Sequence, residues 1–118
     1  TCYDHLAGRL GIAVTNALTA RGLLRQDTGF ALTDAGLRWF VAAGIGLDRR
    51  GRRPLARACL DWTERRPHLA GVAGAALCRH ALDARWCGRI GSERAVKVTE
   101  AGERALSETL GIDAEALR

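Results

Sequence analysis

Apolar and polar residues alternate with a helical period at the start of the chain and then give way to short apolar runs. The apolar positions of the first predicted helix are Leu6, Leu10, Val14, Ala17, Leu18 and Leu24. Arg9, Asn16 and Arg21 lie off this face, and Gly22 is suited to end the helix. The pattern therefore predicts an amphipathic helix followed by a turn at residue 22.

Two short apolar runs, LLRQ and GFALT, flank the triplet DTG and predict a small β-hairpin. Thr33 is a good N-cap for a second helix, and Asp34 stands in its first turn, where the helix dipole favours an anion. This helix carries Leu37, Trp39, Phe40 and Val41 and is expected to stop near Gly44.

The same blocks recur later in the chain in the same order, which predicts an internal duplication. HLAG at 5–8 recurs at 68–71, ALTAR at 17–21 as ALDAR at 81–85, LTDAGLR at 32–38 as VTEAGER at 98–104, and Gly44-Ile45 as Gly111-Ile112. The second copy then predicts a helix over about 68–85 and a hairpin formed by WCGRI and RAVKV around GSE. Thr99 caps a last helix, with Glu100 in its first turn.

The connecting segment is predicted to be a basic linker followed by a helix. Pro54 suits a helix start, and LARACLDWTERR places Leu55, Ala58, Cys59 and Trp62 on one face, with Trp62 as a core anchor, before Pro67 ends the helix. The predicted fold is mainly α with small β-hairpin wings (α+β). It comprises two tandem winged-helix-like repeats, 1–48 and 68–118, joined by a basic linker and connecting helix at 49–67.

The chain resembles bacterial ArsR-type transcriptional regulators, in particular their C-terminal half. The segments TCYDHLAGRLG, LTDAG, RRPLARACLDWTERRPHLAG and VTEAG carry the resemblance across nearly the whole chain. It implies that a DNA-binding winged helix precedes Thr1 and is missing here. It also implies a DNA partner, namely a promoter or operator bound mainly through the full-length protein, and assembly into a homodimer.

The two repeats depart from a working helix-turn-helix, which needs a short turn between two helices. Only Gly11 interrupts the first helix, and Gly74 the corresponding one. We therefore expect helices that fuse or bend at these glycines, and base reading mainly by the missing domain.

Charge adds a weak preference for polyanions, since the net charge is +5 and nearly all the positive charge is arginine. Arg49, Arg50, Arg52 and Arg53 cluster around Gly51 and are the candidate phosphate contacts; the alternative is a solvated loop.

No apolar run of about 18 residues is present, so no membrane span is expected. The absence of a signal segment and the low cysteine content predict a reduced, cytoplasmic protein.

Two Cys–His pairs stand at equivalent places, near the starts of the first helices of the two predicted repeats. Cys2 and His5 are three positions apart, and Cys59 and His68 flank Pro67. Pseudo-symmetry could bring all four together as ligands of a tetrahedral Zn²⁺, or of Cu(I). Two alternatives stay open: a thiol-redox sensor using Cys2 and Cys59, and cysteines that are simply buried apolar groups. Cys78 and Cys87 are predicted core residues, and His80 is predicted to be partly exposed.

No Gly-rich phosphate loop, HExxH or GxSxG motif occurs, and the carboxylates are scattered, so we predict no enzymatic activity. The sequence thus predicts the regulatory and dimerisation part of an ArsR-type regulator. The alternative is a metal (zinc or copper) or thiol-redox sensing module.

Overall fold

A computed structural model describes residues 1–2, 4–91 and 94–117 of the chain. Over these residues the protein is an α+β fold with four α-helices and three two-stranded antiparallel hairpins. The first half contains α1 (Gly8–Ala20), β1 (Leu24–Arg25), β2 (Ala31–Leu32) and α2 (Asp34–Ala42). A middle hairpin of β3 (Arg57–Asp61) and β4 (Arg66–Ala70) follows. The second half contains α3 (Gly71–Asp83), β5 (Cys87–Arg89), β6 (Val96–Val98) and α4 (Glu100–Leu110), and a 3₁₀ turn (Ala114–Leu117) closes it.

The two halves therefore share one order of elements: a 13-residue helix, a short hairpin and a second helix. The predicted caps are confirmed. The Thr33 hydroxyl oxygen accepts a hydrogen bond of 3.0 Å from the Gly36 N–H. The Thr99 hydroxyl oxygen accepts one of 2.9 Å from the Gly102 N–H. The predicted tip of the second wing includes Ser92 and Glu93, which lie outside the described residues.

One apolar core runs through both halves, and the first half contributes most of the apolar positions predicted for its long helix. Leu6, Leu10, Val14, Leu18 and Leu24 are all buried. From the second half come Leu77, Ala81 and Leu106. Cys78 and Cys87 are also buried in this core, as predicted, and His80 is partly exposed.

α1 and α3 approach other parts of the fold closely at the glycines that the sequence singled out. A Cβ on Gly11 would lie 2.6 Å from the Leu6 carbonyl oxygen and 3.6 Å from the His68 Cβ. A Cβ on Gly74 would lie 2.6 Å from the Leu69 oxygen and 3.3 Å from the His5 Cβ. Each glycine thus lets its helix approach the carbonyl just before it, and the histidine of the other Cys–His pair packs beside the same glycine.

Both long helices run without interruption through these glycines. The expectation that the helices would fuse rather than turn is met, and within 4–91 no helix-turn-helix precedes either wing. None of the described helices is long and apolar enough to cross a bilayer.

The predicted connecting helix is wrong, because residues 57–70 form the β3–β4 hairpin. The cause is Asp61, whose Oδ1 accepts hydrogen bonds from the backbone N–H groups of Thr63 and Glu64 at 3.0 and 3.1 Å. A side chain that captures nearby N–H groups favours a turn over a helix. Trp62 stands on this turn with 82% of its surface exposed, so its predicted role as a core anchor is also wrong.

Candidate functional site

Cys2, His5, Cys59 and His68 form one cluster between the two halves. One potential ligand atom from each residue lies within 4.8 Å of all the others. The two histidines are buried and the two cysteines are half-buried. The prediction that these four residues come together in space is therefore confirmed.

The hairpin arm, Cys59 and His68, is built by the middle hairpin. β3 and β4 pair over five positions, and Cys59 lies directly opposite His68 at the central one. The side chains of directly paired residues leave the sheet on the same face, so both potential ligands are presented together. His68 is only 1% exposed.

The chain-start arm, Cys2 and His5, repeats this pairing with far less scaffold. The two residues form an isolated antiparallel bridge, in which the Cys2 N–H donates to the His5 carbonyl at 2.8 Å and the His5 N–H donates back at 3.1 Å. In both arms, therefore, a cysteine and a histidine face each other across an antiparallel pair.

Where the two arms meet, histidine lies beside histidine and cysteine lies beside cysteine. His5 Nε2 and His68 Nε2 are 2.9 Å apart, with the ring centroids 4.8 Å apart and the rings tilted by 50°. Cys2 Sγ and Cys59 Sγ are 3.9 Å apart. No disulfide joins the two thiols.

Asp61 orients the His68 ring of the hairpin arm through a hydrogen bond to its Nδ1 atom. Its Oδ2 lies 3.0 Å from His68 Nδ1 and accepts a 2.6 Å hydrogen bond from the Gly8 N–H at the start of α1. Burial alone would raise the pKa of Asp61, but the hydrogen bonds from Thr63, Gly8 and Glu64 hold that pKa far below its usual value. Because an ionised carboxylate can only accept, His68 carries its proton on Nδ1.

Asp4 stands in the matching position behind the chain-start arm. Its Oδ1 lies 3.3 Å from His5 Nδ1, and its Oδ2 accepts a 2.7 Å bond from the Arg53 guanidinium. Partial burial opposes ionisation, but the bonds to Arg53 and His5 outweigh it and lower the pKa of Asp4. His5 therefore also places its Nδ1 proton toward a carboxylate.

Burial and a neighbouring group shift the pKa of one thiol and one imidazole of the cluster, those of Cys59 and His68. Burial, together with the nearby Cys2 thiol, raises the pKa of Cys59. Burial, together with the neighbouring His5, lowers the pKa of His68. Both shifts favour the neutral groups when nothing else is bound.

Sequence reasoning missed the two carboxylates that support the histidines. The signal was present, since Asp4 adjoins His5 in CYDH and Asp61 opens the turn of LDWTERRPH. An aspartate that starts a turn between two apolar runs indicates a hairpin, and that hairpin places Asp61 beside His68.

The arginine cluster is exposed on the loop before the middle hairpin. Arg50 pairs with Asp48 at 3.1 Å, and Arg53 pairs with Asp4. Arg53 thus joins the surroundings of the Cys/His cluster, whereas phosphate contact by Arg49, Arg50, Arg52 and Arg53 stays a prediction.

Comparison with known proteins gives one similarity that spans the chain. The chain is 39% identical over 115 residues, 95% of its length, to a Bacillus subtilis (strain 168) protein named "Uncharacterized HTH-type transcriptional regulator YdfF". The matched region is 51% of that protein, so the chain spans about half the length of this relative. No protein-family model and no solved structure matches the chain significantly.

Proposed function

We propose that the chain is the C-terminal regulatory and dimerisation part of an ArsR-type transcriptional regulator. DNA is read mainly by a winged helix outside this chain. The observation that carries the proposal is the 39% identity, over nearly the whole chain, to a protein named as an HTH-type regulator of about twice the length. We also infer a cytoplasmic location, where bacterial DNA lies, and a binding rather than a catalytic role.

The secondary structure of the two halves supports the proposal that this chain regulates and dimerises while a separate winged helix reads the DNA. Each half has the hairpin and following helix of a winged helix, but one continuous helix precedes the hairpin where a recognition motif needs two. We infer that the halves arose by tandem duplication of a winged-helix-like unit that no longer enters the major groove.

The proposed homodimer has a candidate contact surface. Leu60, Trp62 and Ile90 are at least half exposed and line one groove between the middle hairpin and the second wing. Exposed apolar residues that share a surface favour a protein–protein contact. The exposed arginine loop at 49–53 is proposed to add phosphate contacts that weaken as salt rises.

Gel shifts test the regulator proposal. The longer protein containing this chain should retard DNA from its own promoter at low salt, and the 118-residue chain should bind the same DNA far more weakly. If the longer protein fails to retard that DNA even at low salt, the proposal is wrong.

A second candidate function is sensing, by metal binding or by oxidation of Cys2 and Cys59. The convergence of the four Cys and His side chains favours it. The operator affinity of the longer protein should then differ between zinc-loaded, chelator-treated and peroxide-treated samples. Identical affinities in all three samples would exclude this function and leave the regulator proposal standing.

A further inference from the structure

We propose that Cys2, His5, Cys59 and His68 bind one Zn²⁺ ion, with all four coordination positions supplied by the protein. The inference deepens the sensing function proposed above, but ion binding itself does not depend on any role in transcription. Its basis is the meeting of the two arms, their spacing, and the hydrogen bonds behind the two imidazoles.

The spacing of like atoms suits a tetrahedral ion. With a Zn–S bond of about 2.3 Å, two thiolates on one zinc lie about 3.8 Å apart. Cys2 Sγ and Cys59 Sγ are 3.9 Å apart. Two imidazole nitrogens on one zinc lie about 3.3 Å apart, and the 2.9 Å between His5 Nε2 and His68 Nε2 reaches this value with a small separation of the rings.

The hydrogen bonds behind the histidines fix which nitrogen is free. Asp61 and Asp4 lie beside the Nδ1 atoms of His68 and His5, respectively, so each ring directs its Nε2 atom toward the centre of the cluster. The two buried Nε2 atoms are 2.9 Å apart, so either one ring donates a hydrogen bond to the other or a cation lies beside both. The two thiols beside the rings, 3.9 Å apart, favour a metal ion as the common partner of all four side chains.

Orienting carboxylates are also the usual surroundings of zinc-bound histidines. A ligating imidazole commonly donates its other N–H to a carboxylate or a backbone carbonyl, which fixes the ring and strengthens the ligand. Here each histidine has its own aspartate. Asp61 is itself fixed by the Gly8 N–H and by the turn at Thr63, so it acts as a positioning residue rather than a ligand.

The ligand set selects the ion. Two thiolates with two imidazoles in a tetrahedral arrangement are typical of structural Zn²⁺ sites, whereas Mg²⁺ and Ca²⁺ take oxygen ligands. Four protein ligands leave no position for a substrate or an activated water. The two thiols bind as thiolates, and their two protons pass to solvent.

Metal binding would join two segments that are distant in sequence, since each arm contributes one cysteine and one histidine. An ion that binds the folded chain and not the unfolded one raises stability by mass action. Two backbone hydrogen bonds join Cys2 to His5, whereas the strands that carry Cys59 and His68 pair over five positions, so the chain-start arm should gain the most order.

The test is metal analysis and spectroscopy of the 118-residue chain, freed of metal with a chelator under reducing conditions. On reloading with Zn²⁺ alone, we expect one equivalent per chain and a higher Tm. On loading with Co²⁺, we expect the visible bands of tetrahedral cobalt and a thiolate charge-transfer band. Octahedral cobalt spectra, or less than about a tenth of an equivalent of tightly held zinc, would overturn the proposal.

Variants identify the ligands. Cys2→Ser and His68→Gln should each lower zinc affinity by at least about 100-fold, and Asp61→Asn by about 10- to 100-fold through loss of the positioning bond. The controls are His80→Gln and Cys78→Ala, which lie outside the cluster and should bind as the parent chain does. Zinc binding that is unchanged in Cys2→Ser and His68→Gln would place the ion elsewhere and refute the site. Cys2 is half-buried near the start of the chain, so its variant tests the ligand with little risk to folding.

These outcomes are separable from those of the regulator proposal. A chain that binds no zinc refutes the metal site even if the longer protein retards promoter DNA. A chain that binds zinc normally supports the site even if no DNA is bound.

Discussion

The chain-start arm and the hairpin arm present the same two side chains with very different amounts of support. In the hairpin arm, Cys59 faces His68 within five paired positions, and a buried carboxylate fixes the imidazole. In the chain-start arm, Cys2 faces His5 through a single bridge, and the supporting carboxylate is 30% exposed. The hairpin arm is thus fixed by its own strand pairing, whereas the chain-start arm is held mainly through its neighbours: the Thr1 hydroxyl donates to the Arg94 carbonyl, and Asp4 pairs with Arg53.

The comparison shows how a pseudo-symmetric site can be assembled from unequal parts. Gly11 packs beside His68, and Gly74 packs beside His5, so each half shapes the space for the other's histidine. The symmetry lies in these close approaches and in the antiparallel Cys–His pairing. It does not lie in the number of residues between cysteine and histidine.

The difference in support between the two arms is tested most strongly by replacing Asp61 and Asp4 in turn and measuring stability with zinc absent. Asp61→Ala leaves the Gly8 N–H and His68 Nδ1 without an acceptor inside the fold, so it should lower the free energy of unfolding by about 3 kcal/mol. Asp4→Ala should lower it by about 1 kcal/mol or less, because Asp4 is partly exposed. Urea denaturation measures both values, and equal losses would show that the arms are held alike.

The glycine contacts are tested by adding one methyl group at each. Gly11→Ala and Gly74→Ala normally favour a helix, but here the new Cβ lies 2.6 Å from a backbone oxygen in either case. Each change should therefore destabilise by about 2 kcal/mol. Gly46→Ala is the control, because its new Cβ would have no atom within 4 Å apart from those of the adjacent residues. This variant should leave Tm unchanged. A rise in Tm for either helical variant would contradict the close approach of α1 to the Leu6 carbonyl or of α3 to the Leu69 carbonyl.

The helix caps offer a comparison in which the halves should behave alike. Thr33→Ala and Thr99→Ala each remove the oxygen that accepts a hydrogen bond at the start of α2 or α4. Each should cost about 1 kcal/mol in thermal or urea unfolding. Thr33→Ser and Thr99→Ser keep the oxygen and should restore most of the loss. A large difference between the two positions would mean that the halves differ in more than their Cys–His arms.

The smallest expected effect on stability concerns Trp62 on the turn of the hairpin arm. Trp62→Ser should change the free energy of unfolding by less than about 0.5 kcal/mol, since the side chain is mostly exposed. It should nevertheless weaken self-association, measured by light scattering over a concentration series. Val41→Ser, at an equally exposed position outside the groove, should not. Identical association of both variants and the parent chain would remove Trp62 from the proposed dimer contact.

Periodicity predicted the elements that depend on local signals. The two long helices, both short wings and the threonine caps follow from apolar spacing, glycine placement and capping chemistry. The ends of α3 were placed too far out, at 68 and 85 rather than at Gly71 and Asp83. His68 belongs to β4, and nothing in a helical period distinguishes it from a helix start.

The middle hairpin was mistaken for a helix because its apolar residues also fit a helical face. Leu55, Ala58, Cys59 and Trp62 have that spacing by coincidence, whereas the carboxylate of Asp61 turns the chain back on itself. Side-chain capture of backbone N–H groups competes with helix formation and is invisible to a count of apolar positions.

The four members of the cluster were predicted from the repeat, but their supporting shell was not. Equivalent places in two copies suggested that Cys2, His5, Cys59 and His68 could meet. Asp61 became part of the site only through the hairpin, which pairs Asp61 with Arg66 and places the carboxylate beside His68. Such support depends on strand register, which the predicted helix excluded.

X-ray absorption at the zinc edge of the zinc-loaded chain tests the central claim most directly. The account predicts four nearest neighbours: two sulfur atoms at about 2.3 Å and two nitrogen atoms at about 2.0 Å, with the outer-atom scattering of two imidazoles. A shell made only of oxygen and nitrogen atoms, or one with a single sulfur, would contradict a zinc ion held jointly by the chain-start arm and the hairpin arm.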